Sequence, residues 1–211
     1  MLKIKIAILL CAVTLVWSCS GSTEKELPYL GPSHTDENGE VVHHQIPDFK
    51  FIDQYGDTIS QADFDGKIYV ADFFFTSCPT ICPVMKSQMI RIYDKFKGQE
   101  EVRILSHSID PYHDSVSVLH DYAEALGVKG KQWFFVTGDQ DQIYDIGQHA
   151  YMVTADVDTV AAEETGGYIH SGAFILVDKN KHVRGLYDGT KEEEVNKLMK
   201  DIELLLKENE E

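Results

Sequence analysis

Cys78-Pro79-Thr80-Ile81-Cys82 sets two thiols four residues apart, directly after a run of apolar residues. Residues at that spacing share one face of a helix, with Cβ atoms about 5 to 6 Å apart. Two sulfurs so placed can hold one small ion. They can also close a disulfide if the first cysteine stands just outside the helix, because Cα separations of roughly 4.4 to 6.8 Å are acceptable. Where a strand ends and a helix begins, the helix N-terminus adds partial positive charge and favours thiolates. Spacing alone leaves metal binding and redox chemistry open, beside the plainer alternative of two buried thiols or a structural disulfide.

The flanking sequence provides that strand and helix. Residues 68–75 are apolar except for Asp72, as in a central strand buried on both faces. Ile81, Met85, Met89, Ile92 and Phe96 then recur at helical spacing and end near Gly98, which makes Met85 and Met89 core residues rather than thioether ligands. Residues 102–109 read as the next strand. Asp114 is placed to cap a helix carrying Val116, Leu119, Tyr122, Ala123 and Leu126. Residues 133–137 read as a strand and 139–151 as a helix. Residues 161–167 are acidic and Gly-rich, a loop. Residues 168–177 read as one strand that turns at 178–181 into residues 182–187, and Val195, Leu198, Met199, Ile202 and Leu205 mark a last helix. Upstream, residues 49–53 and 57–59 flank Gly56 as a hairpin. This order predicts an α/β, thioredoxin-like three-layer fold with a mixed central sheet, an N-terminal hairpin extension, and a C-terminal hairpin plus helix.

At 211 residues the chain fits one such domain. Lys3 and Lys5 followed by an apolar run over 6–16 predict an export signal over 1–18. Ser18-Cys19 is similar to the cleavage region of bacterial lipoproteins, which makes Cys19 the residue for lipid attachment. A tether and leading segment over 19–45 and a domain over 46–211 complete the expected organisation. Residues 27–30 are apolar enough to dock on that domain, a point the pattern leaves undecided. The expected location is outside the cytoplasm, anchored to a bacterial membrane. With Cys11 in the signal and Cys19 lipidated, only Cys78 and Cys82 remain for chemistry. The 35 acidic and 19 basic residues, net −16, exclude a nucleic-acid partner and favour a cation or a basic protein face. His43 and His44 read as exposed loop residues, and His107, His113 and His120 as surface residues.

The stretch Phe74-Phe75-Thr76-Ser77-Cys78-Pro79-Thr80-Ile81-Cys82-Pro83 resembles the Sco/SenC family of copper-binding cytochrome c oxidase assembly proteins. Asp63-Phe64-Asp65-Gly66-Lys67, Ser108-Ile109-Asp110-Pro111 and Tyr168-Ile169-His170-Ser171 are similar to that family too. The resemblance implies one copper ion held by Cys78, Cys82 and His170. Soft thiolates with an imidazole suit copper(I), whereas structural zinc wants four protein ligands. It also implies a metal-transfer role, with delivery to the binuclear copper centre of the oxidase's copper-site subunit. The alternative is a thiol-disulfide oxidoreductase that keeps the oxidase's copper-site cysteines reduced through the Cys78–Cys82 pair. The family often has an acidic residue between its cysteines, where this chain has Thr80. His170 has separate support: thioredoxin-type oxidoreductases carry a cis-proline facing the cysteines, and this chain has no proline after Pro111.

Overall fold

Seven strands share one mixed sheet in the computed structural model, which describes residues 26–153, 155–157, 168–170 and 172–208, with backbone alone at 155–157 and 168–170. The signal region and Cys19 lie outside the described residues. Two short strands, β1 (His34–Thr35) and β2 (Val41–Val42), pair in the leading segment. β3 (Lys50–Asp53) and β4 (Thr58–Ser60) form the expected hairpin, turning at Gly56, whose φ of +82° costs a glycine little. β5 (Ile68–Phe74) is buried along its whole length. It runs parallel to β6 (Val102–Ser108), which runs parallel to β7 (Trp133–Thr137).

Helix α1 (Cys82–Lys95) follows β5, α2 (Val116–Ala125) follows β6, and α3 (Gln140–Asp145) follows β7 and widens into a π-helical turn over Ile146–Ala150. β8 (Ala155–Val157) pairs with β9 (Tyr168–His170), then β10 (Ala173–Val177) and β11 (Val183–Asp188) form the closing hairpin before α4 (Glu192–Glu208). The sheet order is β11-β10-β5-β6-β7-β3-β4. The single strand expected over 168–177 is therefore two strands in two sheets, broken around Gly172. The backbone oxygen of Gly172 accepts from Gly189 N–H at 2.7 Å instead of joining a ladder.

Side chains alternate across β5 and sort the core. Asp72 and Phe74 share one face with Met85 and Cys82 of α1 and Tyr122 of α2. Arg91 Nη2 donates to Asn196 Oδ1 at 2.6 Å and ties α1 to α4. On the opposite face Phe73 stacks on His107 at 4.8 Å, within a cluster that includes Phe49, Phe51 and Tyr151. Met85 and Met89 are core residues, as their spacing indicates.

His107 corrects the surface reading: it is fully buried, and neither ring nitrogen has a hydrogen-bond partner of full geometry. Its place in β6 decides this, because that strand is covered on both faces and the residues flanking His107 are buried as well. Burial depresses its pKa to about 3. A depressed base is neutral in the fold, while the unfolded chain takes up a proton near pH 6.5, so the stability it contributes is lost as pH falls from about 6.5 toward 3. Asp72 acts oppositely. Burial raises its carboxyl to about 7, so its contribution is lost as pH rises from about 4 through 7. His107→Phe is therefore expected to gain on the wild type by about 4 kcal/mol between neutral pH and about pH 3.5. Urea unfolding of both proteins across that range measures the difference, and parallel stability curves would sink the assignment.

The leading segment docks on the closing hairpin. Arg184, buried at 3% exposure, donates to Asp178 Oδ2 at 2.9 Å, Leu27 O at 2.7 Å and Pro28 O at 3.3 Å, and lies 4.3 Å from the centre of the Tyr29 ring. Leu30 N–H adds a bond to Val183 O at 2.8 Å. His43 stacks on Tyr29 at 4.1 Å and His44 Nε2 lies 2.8 Å from Ala150 O, so both histidines pack rather than hang free. Arg184→Ala leaves Asp178 buried without its cation, and about 3 kcal/mol of stability should go with it. Limited proteolysis should then cut near residues 26–31 faster than in the wild type.

Candidate metal centre

Apolar burial drives β5 to the centre of the sheet and leaves its end, at Phe74, facing the loop 75–81. Cys82 opens α1, and Ile81 holds the N-cap position without a side-chain cap. Pro83 suits the first turn, where its missing N–H would have no partner anyway. The first-turn N–H groups therefore remain for the sulfurs. Both cysteines are buried, at 8% and 5% exposure, beneath exposed Ser77, Pro79 and Thr80. They are more covered than an exposed helix start would be.

The two thiols are not equivalent. Burial acts to raise Cys78, but hydrogen bonds from the Cys82 thiol, the backbone of Thr80 and Cys82, and the Thr80 hydroxyl at 3.6 Å outweigh it and lower the thiol. Cys82 moves strongly upward. Its burial dominates, the shared hydrogen bond with Cys78 and the charge of Asp72 add to it, and the Phe75 backbone opposes. The helix N-terminus thus favours one thiolate, not two, because the deeper sulfur pays more desolvation than the first turn returns. The Thr80 hydroxyl shares a hydrogen bond with Cys78 without adding charge between the cysteines.

Beneath Cys82 lies a polar chain within apolar walls. Trp133 Nε1 donates to Ser106 Oγ at 2.9 Å, and Ser106 Oγ donates to Asp72 Oδ1 at 2.5 Å. Asp72 and Cys82 line one small cavity with Lys86, Met85 and Tyr122. The interruption of an apolar run by one carboxylate was the only sequence signal for this group.

The loop before Cys78 is held by a residue read from sequence as a helix cap. Ser115, not Asp114, takes the N-cap of α2. Asp114 is fully buried and accepts from Thr76 N–H at 3.1 Å, Thr76 Oγ1 at 2.5 Å, Ser108 Oγ at 2.6 Å and His113 Nδ1 at 2.9 Å. Asp110 Oδ1 accepts from His113 N–H at 3.3 Å, so the Ser108 to Asp114 loop closes against the cysteine loop. His113 and His120 are half-exposed, as expected of surface residues.

His170 ends β9, with its backbone paired to Ala155; its side chain lies outside the description. β10 is antiparallel to β5, with Ile175 opposite Ala71, so the chain enters β10 at the end of the sheet where the cysteines stand. A Cβ on Gly172 would lie 3.7 Å from Ile81 Cδ1, between the two cysteines in sequence. Among the described residues, no group of three His, Cys, Asp or Glu side chains is arranged to hold a metal ion. The structure brings Cys78 and Cys82 together and brings the backbone near His170 to the same end.

Comparison with known proteins places this geometry. The sequence model described as SCO1/SenC matches residues 38–207. A SCO1 protein homolog of Bacillus subtilis is 29% identical over 165 residues, covering 77% of this chain and 83% of that one. The structure of BsSco, described as carrying a disulfide switch and as a member of the Sco family of cytochrome c oxidase assembly proteins, superposes with a TM-score of 0.69 at 26% identity, over 86% of this chain and 98% of that one. Copper-bound yeast Sco1 has the same fold, with a TM-score of 0.59 at 22% identity over 76% of this chain and 89% of that one.

Proposed function

The chain belongs to the SCO1/SenC family, and from that premise we propose that it binds one copper ion through Cys78, Cys82 and His170 and passes it to the binuclear copper centre of cytochrome c oxidase. The observation that carries the reading is the pair of cysteine side chains four residues apart at the start of α1. Soft sulfur donors select copper(I) over harder cations. The sequence supports His170 as the third ligand, and Gly172, two residues later, lies at the cysteine end of the sheet. Three ligands leave one side of the ion open to a partner's donors, which is what transfer by ligand exchange requires. In such a site Cys78, the more acidic thiol, would be the readier donor, and Cys82 would have to give up its proton before it could join. Export and lipid attachment at Cys19 would set the domain on the outer side of the membrane, where the acceptor stands.

A second reading is favoured by the unequal thiols. A low Cys78 thiol beside a high Cys82 thiol is the arrangement for thiol-disulfide exchange, with Cys78 attacking and Cys82 resolving the mixed disulfide. The protein would then reduce the oxidase's copper-site cysteines.

Anaerobic titration of the reduced chain with copper(I) against a competing chelator separates the two. One equivalent held tightly, with a thiolate-to-copper(II) charge-transfer band after oxidation, is the expected result. Absence of stoichiometric binding, together with rapid dithiol cycling against a protein disulfide, would replace the metal-transfer reading with the reductase.

A further inference from the structure

At the end of the sheet opposite the cysteines, where β5, β6 and β7 begin, a cavity of about 390 Å³ opens between Lys67, Arg103, Lys131 and Gln132. Lys67 directly precedes β5, Arg103 is the second residue of β6, and Lys131 lies two residues before β7. The seven residues of β5, at about 3.3 Å each, set this cavity roughly 20 Å from the cysteine loop. It belongs to a different site.

Its charge is the reverse of the molecule's. The chain carries −16 overall, yet three cations line this cavity against one carboxylate, Glu100. Of the three arginines, Arg91 pairs with Glu192, and Arg184 with Asp178 and Glu208. Arg103 makes no ion pair within 4 Å among the described residues. Its guanidinium is half-buried over the rings of Phe64 and Phe134, at 5.9 and 5.6 Å. Burial lowers its pKa, while the more distant charges of Asp63 and Glu100 act to restore it. Lys67 likewise has no ion pair among the described residues, and Lys131 reaches Asp57 only at 3.7 Å between two exposed side chains. In a chain with so many carboxylates, a partly desolvated and unpaired arginine is a cost that an external anion removes.

The cavity is also preformed. Gln132 Oε1 accepts from Gly98 N–H at 3.1 Å, and Gln132 Nε2 donates to Phe96 O at 2.5 Å, with Gln99 O and Val102 O each at 3.3 Å. That carboxamide fixes the wall from which the cations project. Arginine's fork matches two oxygens of a tetrahedral anion, and two lysines add point charge.

We infer that this cavity binds a phosphate group through Arg103, Lys67 and Lys131. The phosphate has two possible sources, a free phosphate compound or a phospholipid headgroup. The second is geometrically open because the leading segment meets the fold at this same end: Arg184 holds Leu27 and Pro28 beside the β10–β11 turn, and Val177 pairs with Tyr69 at the start of β5.

The test places the full chain in nanodiscs of phosphatidylcholine and follows the backbone amide resonances of Lys67, Gly98, Arg103 and Gln132. Inorganic phosphate is added at constant ionic strength against chloride. A second arm replaces part of the phosphatidylcholine with phosphatidylglycerol. Saturable shifts with phosphate indicate the free source. Shifts only with phosphatidylglycerol indicate the headgroup. Arg103→Gln should weaken the response at least about tenfold, and Lys67→Gln, on a partly exposed side chain, serves as the milder variant should Arg103→Gln unfold. No saturable shift in either arm, equal shifts with chloride, or wild-type binding in both variants would overturn the site.

Discussion

Cys78→Ser and Cys82→Ser are each expected to weaken copper(I) binding by a few hundredfold. Thiolate-rich structural metal sites supply about 10 to 16 kcal/mol over four ligands. Each ligand is thus worth on the order of 3 to 4 kcal/mol, and each 1.4 kcal/mol is about tenfold in affinity. Serine keeps the shape but offers a hard oxygen, which copper(I) binds poorly. His170→Ala should show a loss of the same order if its imidazole completes the site. Competition titrations of the three variants under anaerobic conditions read these losses directly. Wild-type affinity in all three would remove the proposed ligand set, whatever the family. The two serine variants also differ in a useful way: Cys78→Ser removes the more acidic thiol, so the remaining Cys82 should react slowly with iodoacetamide at neutral pH. Cys82→Ser should leave Cys78 reactive, because a serine hydroxyl at that position can still donate the hydrogen bond that helps to lower it.

Asp114→Ala is the second large effect. One fully buried carboxylate takes hydrogen bonds from the backbone and hydroxyl of Thr76, from Ser108 and from His113. Removing it strands these donors, and the expected loss is about 4 kcal/mol. Urea unfolding measures that loss. A second readout is specific to the site: with Thr76 released, the loop over Cys78 should open and Cys78 should alkylate faster under native conditions. Asp114→Asn keeps an acceptor for Thr76 and should recover much of the slow alkylation. Unchanged stability and unchanged Cys78 reactivity in Asp114→Ala would show that the loop is held by other contacts. The exposed His113 adds a pH dependence of known sign. Its hydrogen bond to Asp114 raises its pKa, so whatever it contributes is present below pH about 6.5 and is lost as pH rises through the raised value.

Local periodicity made the scaffold legible. The apolar run of β5 has the length and composition of a strand buried on both faces, the stripe from Met85 to Ile92 has the spacing of one helix face, and Gly56 marks a hairpin turn. Those patterns also put the cysteines at a strand-to-helix junction, so the proposed pair of sulfurs is legible in the sequence. The break at Gly172 was not visible, because residues on both sides are compatible with strand and only pairing partners distinguish one sheet from another. His107 escaped for a related reason. Three histidines within fourteen residues look alike in sequence, but only His107 falls inside β6, where it meets the aromatic core, while His113 and His120 lie in the following loop and helix.

By itself, the sequence determined the α/β order, the identity of the core, and which two sulfurs stand together, because each depends on side-chain types repeating over a few residues. Tertiary structure alone decided that Asp114 anchors the cysteine loop, that Asp72 lies under Cys82, and that one thiol is lowered while the other is raised. The Asp114–Thr76 and Asp72–Ser106 bonds join groups 38 and 34 residues apart, and the two thiols differ through how deeply the folded chain buries each of them. In that interior, burial and individual hydrogen bonds, rather than residue type, set the charge each side chain carries.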